Sequence, residues 1–209
     1  MTVSKPDENS GMDAAWAVLH TPLSVIDLKT FCLDIERLFR INPMLNFRTW
    51  QQLGKDRHHL TGQNISQQPP FDFDLTLFVR QLPDGIQIDY DHSLKTRTTL
   101  IIEPVSDRPG CHSKLTITDY YDGLPEKERT RQLHRVDKSI SVWANDLQRY
   151  LINWHQWSRY RPWRWYMQHI WQPMKPMGRR ITTILLWITV VELALIFLGG
   201  AIYFLEFAG

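Results

Sequence analysis

The sequence predicts an α+β domain built on an antiparallel sheet, followed by one transmembrane helix, and three patterns carry that expectation. Between residues 47 and 121 apolar and polar side chains alternate with a period of two, as on a half-buried sheet. Between about 127 and 157 the apolar positions recur every three or four residues, as on one face of a helix. From Ile181 to Leu205 neither period survives, because the stretch holds no Lys, Arg or Asp and a single Glu192. A helix of that length runs roughly 37 Å, enough to cross a hydrocarbon core of about 30 Å.

In chain order, Ala14–His20 reads as a first strand, ended by Thr21-Pro22. Ser24 is a helix cap, and Val25, Ile26, Leu28, Phe31, Cys32, Ile35, Leu38 and Phe39 recur at helical spacing in two short helices closing at Asn42-Pro43. Phe47–Leu53 and Arg57–Ile65 are strands joined at Gly54-Lys55-Asp56. Phe71–Leu77 and Ile86–Asp91 follow, joined through Pro83-Asp84-Gly85, a strong hairpin signal. Arg97–Glu103 and Lys114–Tyr121 complete the set. The buried face is expected to carry Phe73, Leu75, Leu77, Ile86, Ile88, Tyr90, Leu100, Ile102, Leu115 and Ile117. Asp72, Asp74, Asp89 and Asp91 fall on the wet face, where charges also discourage edge pairing. The long helix presents Leu133, Val136, Ile140, Trp143, Leu147, Tyr150, Leu151 and Trp154. These boundaries give a domain over 13–157, after a polar stretch 1–12 expected to be disordered.

Charge is unevenly spread. Residues 1–157 carry 18 basic and 20 acidic groups, 158–180 carry six basic and no acidic ones, and beyond that only Glu192 and Glu206 are charged. A mildly acidic domain is a poor nucleic-acid binder, since that affinity rests on clustered Lys and Arg. Arg159, Arg161, Arg164, Lys175, Arg179 and Arg180 before the span suit anionic head groups instead, and hold their side of the span in the cytosol. The expected topology is a single pass with the N-terminal domain cytosolic and the C-terminal tail (206–209) outside. MTVSKPDENSGMD lacks the charged-then-apolar run of a secretory signal. Cys32 and Cys111 read as free thiols.

Five of the nine tryptophans fall between Trp154 and Trp171. After Pro162, Trp163, Met167, Ile170 and Trp171 share one helical face. The segment 158–180 therefore reads as an interfacial helix ended by Pro173 and Pro176, with Trp163, Trp165 and Trp171 at head-group level. Packing of these rings on the domain is the alternative.

His20-Thr21-Pro22-Leu23, Asp34-Ile35-Glu36-Arg37-Leu38 and Ile41-Asn42-Pro43, set in this order of elements, resemble the START-like, or polyketide cyclase and lipid-transport, superfamily. The resemblance covers residues 14–157 in topology. It implies a helix-grip fold, a seven-stranded antiparallel sheet wrapped around the long C-terminal helix, with an apolar ligand such as a lipid or quinone between them. The residues expected to line that space are Trp50, Phe73, Leu75, Leu77, Ile88, Tyr90, Leu100, Ile102, Ile117, Trp143 and Leu147, with the Tyr90 hydroxyl placed to orient a ligand. The resemblance brings no shared catalytic motif.

Nothing in the residues suggests a metal or cofactor other than such a bound lipid or quinone. His58 and His59 are neighbours in a strand and point to opposite faces, and His20, His92, His112, His134, His155 and His169 are scattered. Glu192 is costly in a span. Its carboxyl is expected either to bond a neighbouring backbone group or Thr189, or to meet another transmembrane helix. The functional expectation is a tethered domain that binds an apolar molecule at the cytosolic face. An assembly subunit of a membrane complex comes second, and a cyclase-type enzyme third, disfavoured because no acid–base constellation is visible. The expected partners are membrane lipids, a hydrophobic small molecule and other transmembrane subunits.

Overall fold

The computed structural model describes residues 14–121, apart from 92, 94 and 107, and residues 126–207, with the side chains of 126–138 and 207 outside that description. Residues 1–12, Leu133, Val136, His92 and His134, all named above, lie outside the described residues or side chains.

Helix α1 (Val25–Leu33) starts where the Ser24 hydroxyl accepts from the Asp27 N–H at 3.1 Å. Asp34 does the same for α2 (Ile35–Arg40), accepting from the Arg37 N–H at 3.2 Å. The acidic turn between the helices is thus a cap, an oxygen that satisfies one of the orphan donors of a helix start. Asn42 then accepts from the Met44 N–H at 2.9 Å across Pro43 and turns the chain into the sheet.

Strands β1 (Ala14–Thr21), β2 (Leu45–Gln52), β3 (Arg57–Asn64), β4 (Phe71–Leu82), β5 (Gly85–Asp91), β6 (Arg97–Pro104) and β7 (Ser113–Tyr120) form one sheet. Its order is β1-β7-β6-β5-β4-β3-β2, antiparallel throughout. Strands β1 and β2 are therefore opposite edges, and α1 and α2 carry the chain from one to the other, touching β5, β6 and β2 on the way. Gly85 allows the closest approach in the sheet: a Cβ there would stand 1.9 Å from the Leu100 carbonyl oxygen.

Helix α3 (Glu126–Trp157) packs on the same face and touches β1. Its Ile140, Trp143, Leu147, Tyr150 and Leu151 are buried with Leu77, Ile86, Ile88, Leu100, Ile102, Leu115 and Ile117 of the sheet. The fold is a helix-grip arrangement, with the sheet packed against the long helix α3. Burial pushes the Cys32 thiol up to about 12, which leaves it protonated and inert.

On the other face the acidic residues are paired rather than free. Asp72 meets Arg48 at 2.9 Å, Asp74 meets His59 at 2.8 Å and Asp89 meets Arg80 at 3.2 Å. All three sit on interior strands, so guarding an edge is not their role. His59–Asp74 and Arg80–Asp89 bridge neighbouring strands on the solvent face, and Arg48–Asp72 reaches from β2 over β3 to β4.

The tryptophan-rich segment packs on the domain, the alternative given above. Short helix α4 (Arg161–Tyr166) runs on into a π-helical turn, Met167–Trp171, and together they fold back on the domain. Met167 is buried, and Trp163, Tyr166 and Trp171 pack half-buried against the core. The rings they pack on, Trp154 and Tyr150, themselves surround Arg37. Its guanidinium lies 3.6 Å from the Trp154 ring centre, 4.8 Å from Phe31 and 5.2 Å from Tyr150, and its Nε–H donates to the Tyr150 hydroxyl at 3.0 Å. Trp163 then packs on Trp154 at 5.5 Å and Trp171 on Tyr150 at 5.3 Å, closing a nest of rings around one buried cation. Trp165, Arg159, Arg161, Arg164, Lys175 and Arg180 remain exposed. The compact unit that holds the sheet ends at Pro173 rather than near Trp157.

From Met174 onward the chain forms a second unit. Helix α5 (Pro176–Phe207) begins at Pro176, so that proline opens this helix instead of closing the one before, and Arg179 and Arg180 stand in its first turns. Pro176–Glu206 has a mean hydropathy of 2.4 and is long and apolar enough to cross a membrane. The Thr189 hydroxyl donates to the Leu185 carbonyl at 3.0 Å, within its own helix. Its hydrogen is therefore not given to Glu192, which is exposed.

Candidate functional site: an apolar cavity with one polar end

The helices cover the sheet unevenly. Helix α1 lies against β5 and β6 and α3 against β1, and beside them, toward β3 and β4, a cavity of about 580 Å³ remains. That size suits a ligand of drug or lipid-fragment dimensions. Phe39 at the end of α2 forms one wall, and Leu60, Phe73 and Leu75 form the sheet wall. Gly62 matters here, because a Cβ at that position would stand 2.7 Å from the Phe73 ring. Its missing side chain leaves room for the Phe73 ring, which meets Phe47 edge to face at 73°, 5.9 Å between ring centres.

The lining is mixed, with Asn64, Gln67, Asp72, Asp74 and Ser93 among its polar residues, and one polar cluster on it is buried. Tyr90 and Lys95 reach the cavity, with Tyr121 beside them. Behind them stand Thr98 and Asp119, both on the inward face and almost fully buried. Lys95 Nζ lies 2.6 Å from Asp119 Oδ2, and the Thr98 hydroxyl donates to Asp119 Oδ1 at 2.5 Å. Tyr90 Oη lies 2.8 Å from Thr98 Oγ1, and the Tyr121 hydroxyl points at Asp119 Oδ2 from 3.5 Å. A buried carboxylate costs several kcal/mol unless its lone pairs are met, and here an ammonium and a hydroxyl meet them. Burial, and after it the Asp119 charge, pushes the Tyr90 phenol far above its ordinary range, so it keeps its proton.

Of the eleven residues expected to line a ligand space, Phe73, Leu75 and Tyr90 do so. Leu77, Ile88, Leu100, Ile102, Ile117, Trp143 and Leu147 are at most 4% exposed, pack in the core and do not line this cavity. The Trp143 indole N–H donates to the Leu38 carbonyl at 3.3 Å, a bond internal to that core. Trp50 packs on Phe39, Phe47 and His58 and does not reach the cavity lining. Thr98, Lys95, Asp119 and Tyr121 escaped the sequence reading.

His58 points inward under Trp50, while His59 points out to Asp74. Among the described residues no group of three His, Cys, Asp or Glu is placed to hold a metal. Burial holds His58 below its ordinary 6.5, outweighing the opposite pull of Glu36, Asp56 and Asp34. An unfolded chain thus takes up this proton before the folded one does. The stabilisation is fully present above about 6.5 and is lost as pH falls through that value. The midpoint of thermal unfolding is expected to fall between pH 7 and 5, and His58→Gln is expected to flatten part of that decline. An unchanged pH profile in His58→Gln would assign the decline to other groups.

A helix-grip domain, a seven-stranded antiparallel sheet packed on a long helix, followed by an apolar helix of membrane length, is what the fold defines. No family model and no curated protein matches the sequence. Solved structures with a similar fold are distant. A protein of Thermus thermophilus is 9% identical, over 66% of this chain and 97% of that one, with a TM-score of 0.49. A STAR-related lipid transfer protein from Xanthomonas axonopodis is 11% identical, over 70% and 90%, with a TM-score of 0.48. The lipid transfer and protein localization domain of human StarD13 is 16% identical, over 64% and 75%, with a TM-score of 0.40.

Proposed function

We propose that this protein is a membrane-tethered binding domain that takes an apolar molecule, a lipid or quinone, into the cavity between Phe39 and the β3–β4 wall, and presents or transfers it at the cytosolic membrane face. The observation that carries this reading is the cavity itself, about 580 Å³ walled by Phe39, Leu60, Phe73 and Leu75. Burial of an apolar body there contributes about 25 cal/mol per Å². Helix α5 would keep the domain at the bilayer from which such molecules come, raising its effective concentration there. Exposed Arg159, Arg161, Arg164, Lys175 and Arg180, with Trp165, supply the charge and aromatic surface that head groups attract. A binding role fits the polar end better than catalysis, since each oxygen of Asp119 is already engaged, one by Lys95 and one by Thr98. Mass spectrometry of molecules released from the purified full chain tests the reading. One apolar species enriched well above its share of the source membrane is expected, and bulk lipids in bulk proportion would contradict it.

A second reading, in which the protein assembles with another transmembrane subunit, is favoured by the pattern on α5. Leu185, Thr189, Glu192, Ile196 and Gly199 follow one another at steps of four and three, a single seam holding the one charge of the span's interior. Glu192→Leu is expected to leave insertion intact and weaken association, since interhelical polar contacts contribute roughly 0.6–2 kcal/mol, while Glu192→Gln is tolerated. Equal recovery of the same partners in detergent pull-downs of all three versions would remove Glu192 as a contact.

A further inference from the structure

We infer that the polar end of the cavity selects a neutral ligand ending in a hydroxyl group, an alcohol or phenol on an apolar body, over a carboxylate or an ether of the same shape. This rests on the cavity being a ligand site, as proposed above, and follows from counting hydrogens along the buried chain. Asp119 as a carboxylate only accepts, so the one hydrogen of the Thr98 hydroxyl is committed to it at 2.5 Å. Thr98 Oγ1 is then left with lone pairs alone toward Tyr90. The 2.8 Å contact between Tyr90 Oη and Thr98 Oγ1 has to be made with the hydrogen of Tyr90. Thr98 is 0% exposed and Asp119 1%, so water does not offer either group another partner.

The order is fixed: Tyr90 donates to Thr98, Thr98 to Asp119, and Asp119 accepts also from Lys95. Tyr90 therefore shows the cavity only an oxygen lone pair, and Lys95, with one of its three hydrogens on Asp119, shows it only donors. A hydroxyl matches both, giving its hydrogen to Tyr90 and accepting from Lys95. An ether or isolated carbonyl can only accept, and leaves the Tyr90 lone pair facing a second acceptor. A carboxylate would meet Lys95, but it would also meet that lone pair and the charge of Asp119 behind it. The polar end carries one positive and one negative charge that already cancel, so it has no net attraction for an anion.

The test uses the full chain in lipid nanodiscs and equilibrium dialysis of three labelled probes at pH 8: dodecanol, its methyl ether and dodecanoate, with uptake by empty nanodiscs subtracted. A labelled alkylphenol alongside them separates a straight-chain from an aromatic source of the hydroxyl. The alcohol, the phenol or both are expected to be held at least about five-fold more tightly than the ether and the carboxylate, the value of one net hydrogen bond. Tyr90→Phe is expected to erase the preference for alcohol over ether without lowering retention of the ether. Thr98→Val frees the Tyr90 hydrogen for the cavity and is expected to raise retention of the ether, a gain that general damage to the fold would not produce. Equal retention of all probes by the wild-type protein would overturn the selectivity and leave the cavity reading standing. Preference for dodecanoate would overturn the assigned hydrogen order. Retention of none of the probes would overturn both this inference and the binding function on which it rests.

Discussion

A chain ended after Trp157 is expected to lose most of its folding stability, whereas one ended after Pro173 is expected to unfold near the temperature of the same domain in the full-length protein. The difference is the segment that closes the ring nest. Removing it takes away buried Met167 and the half-buried Trp163, Tyr166 and Trp171, and uncovers the outer faces of Trp154 and Tyr150. Burial of one large apolar side chain contributes about 1.5–3 kcal/mol, so the loss is on the order of 4–8 kcal/mol. That is comparable with the whole stability of a domain this size, about 5–15 kcal/mol. Circular dichroism and thermal unfolding of the two fragments measure it. Equal midpoints would show that α4 and the π-helical turn are only draped on the domain.

Trp143→Ala is expected to destabilise the domain by about 3–5 kcal/mol while leaving ligand content per folded molecule unchanged. The ring is 2% exposed and its N–H is bonded to Leu38. It stands behind Phe39, whose ring lies 5.7 Å away and forms the cavity wall. Loss of the indole opens a void in closed core and leaves the Leu38 carbonyl without that donor. Denaturant unfolding read beside bound-ligand content separates the two effects. A ligand lost in proportion to nothing but the substitution, at unchanged stability, would place Trp143 in the site after all.

The fold was largely legible because each element obeys a local rule. Period-two alternation marks the strands, Ser24 and Asp34 are helix caps, and the apolar stripe through Ile140, Trp143 and Leu147 marks α3. Position along that stripe does not say which part of a sheet face a helix covers. Seven expected cavity residues are buried in the core and lie away from the cavity beside β3 and β4, with α1 over β5 and β6 and α3 over β1. The polar end left a readable trace. Thr98 is in phase with Leu100 and Ile102, and Asp119 with Leu115 and Ile117, so both belong to the apolar face. A polar residue in step with a buried face has to find a partner there. The partner of Asp119 is Lys95, outside the strands and carrying no periodic signal. Arg37 was hidden for a related reason. Its rings come from α1 and α3, and a spacing rule within one helix cannot relate them.

Filling the cavity tests the central claim most directly. Leu75 lines it and is half-buried, so Leu75→Trp is expected to project an indole into space now open and to change stability little. The full chain of each version is equilibrated in nanodiscs with labelled dodecanol and re-isolated, and bound molecules are counted per chain. Helix α5 is the same in both, so lipid held around it cancels in the comparison. About one molecule per wild-type chain and close to none in Leu75→Trp, with both versions unfolding within a few degrees of each other, is the expected result. Equal occupancy in the two folded versions would contradict a ligand site between Phe39 and the β3–β4 wall.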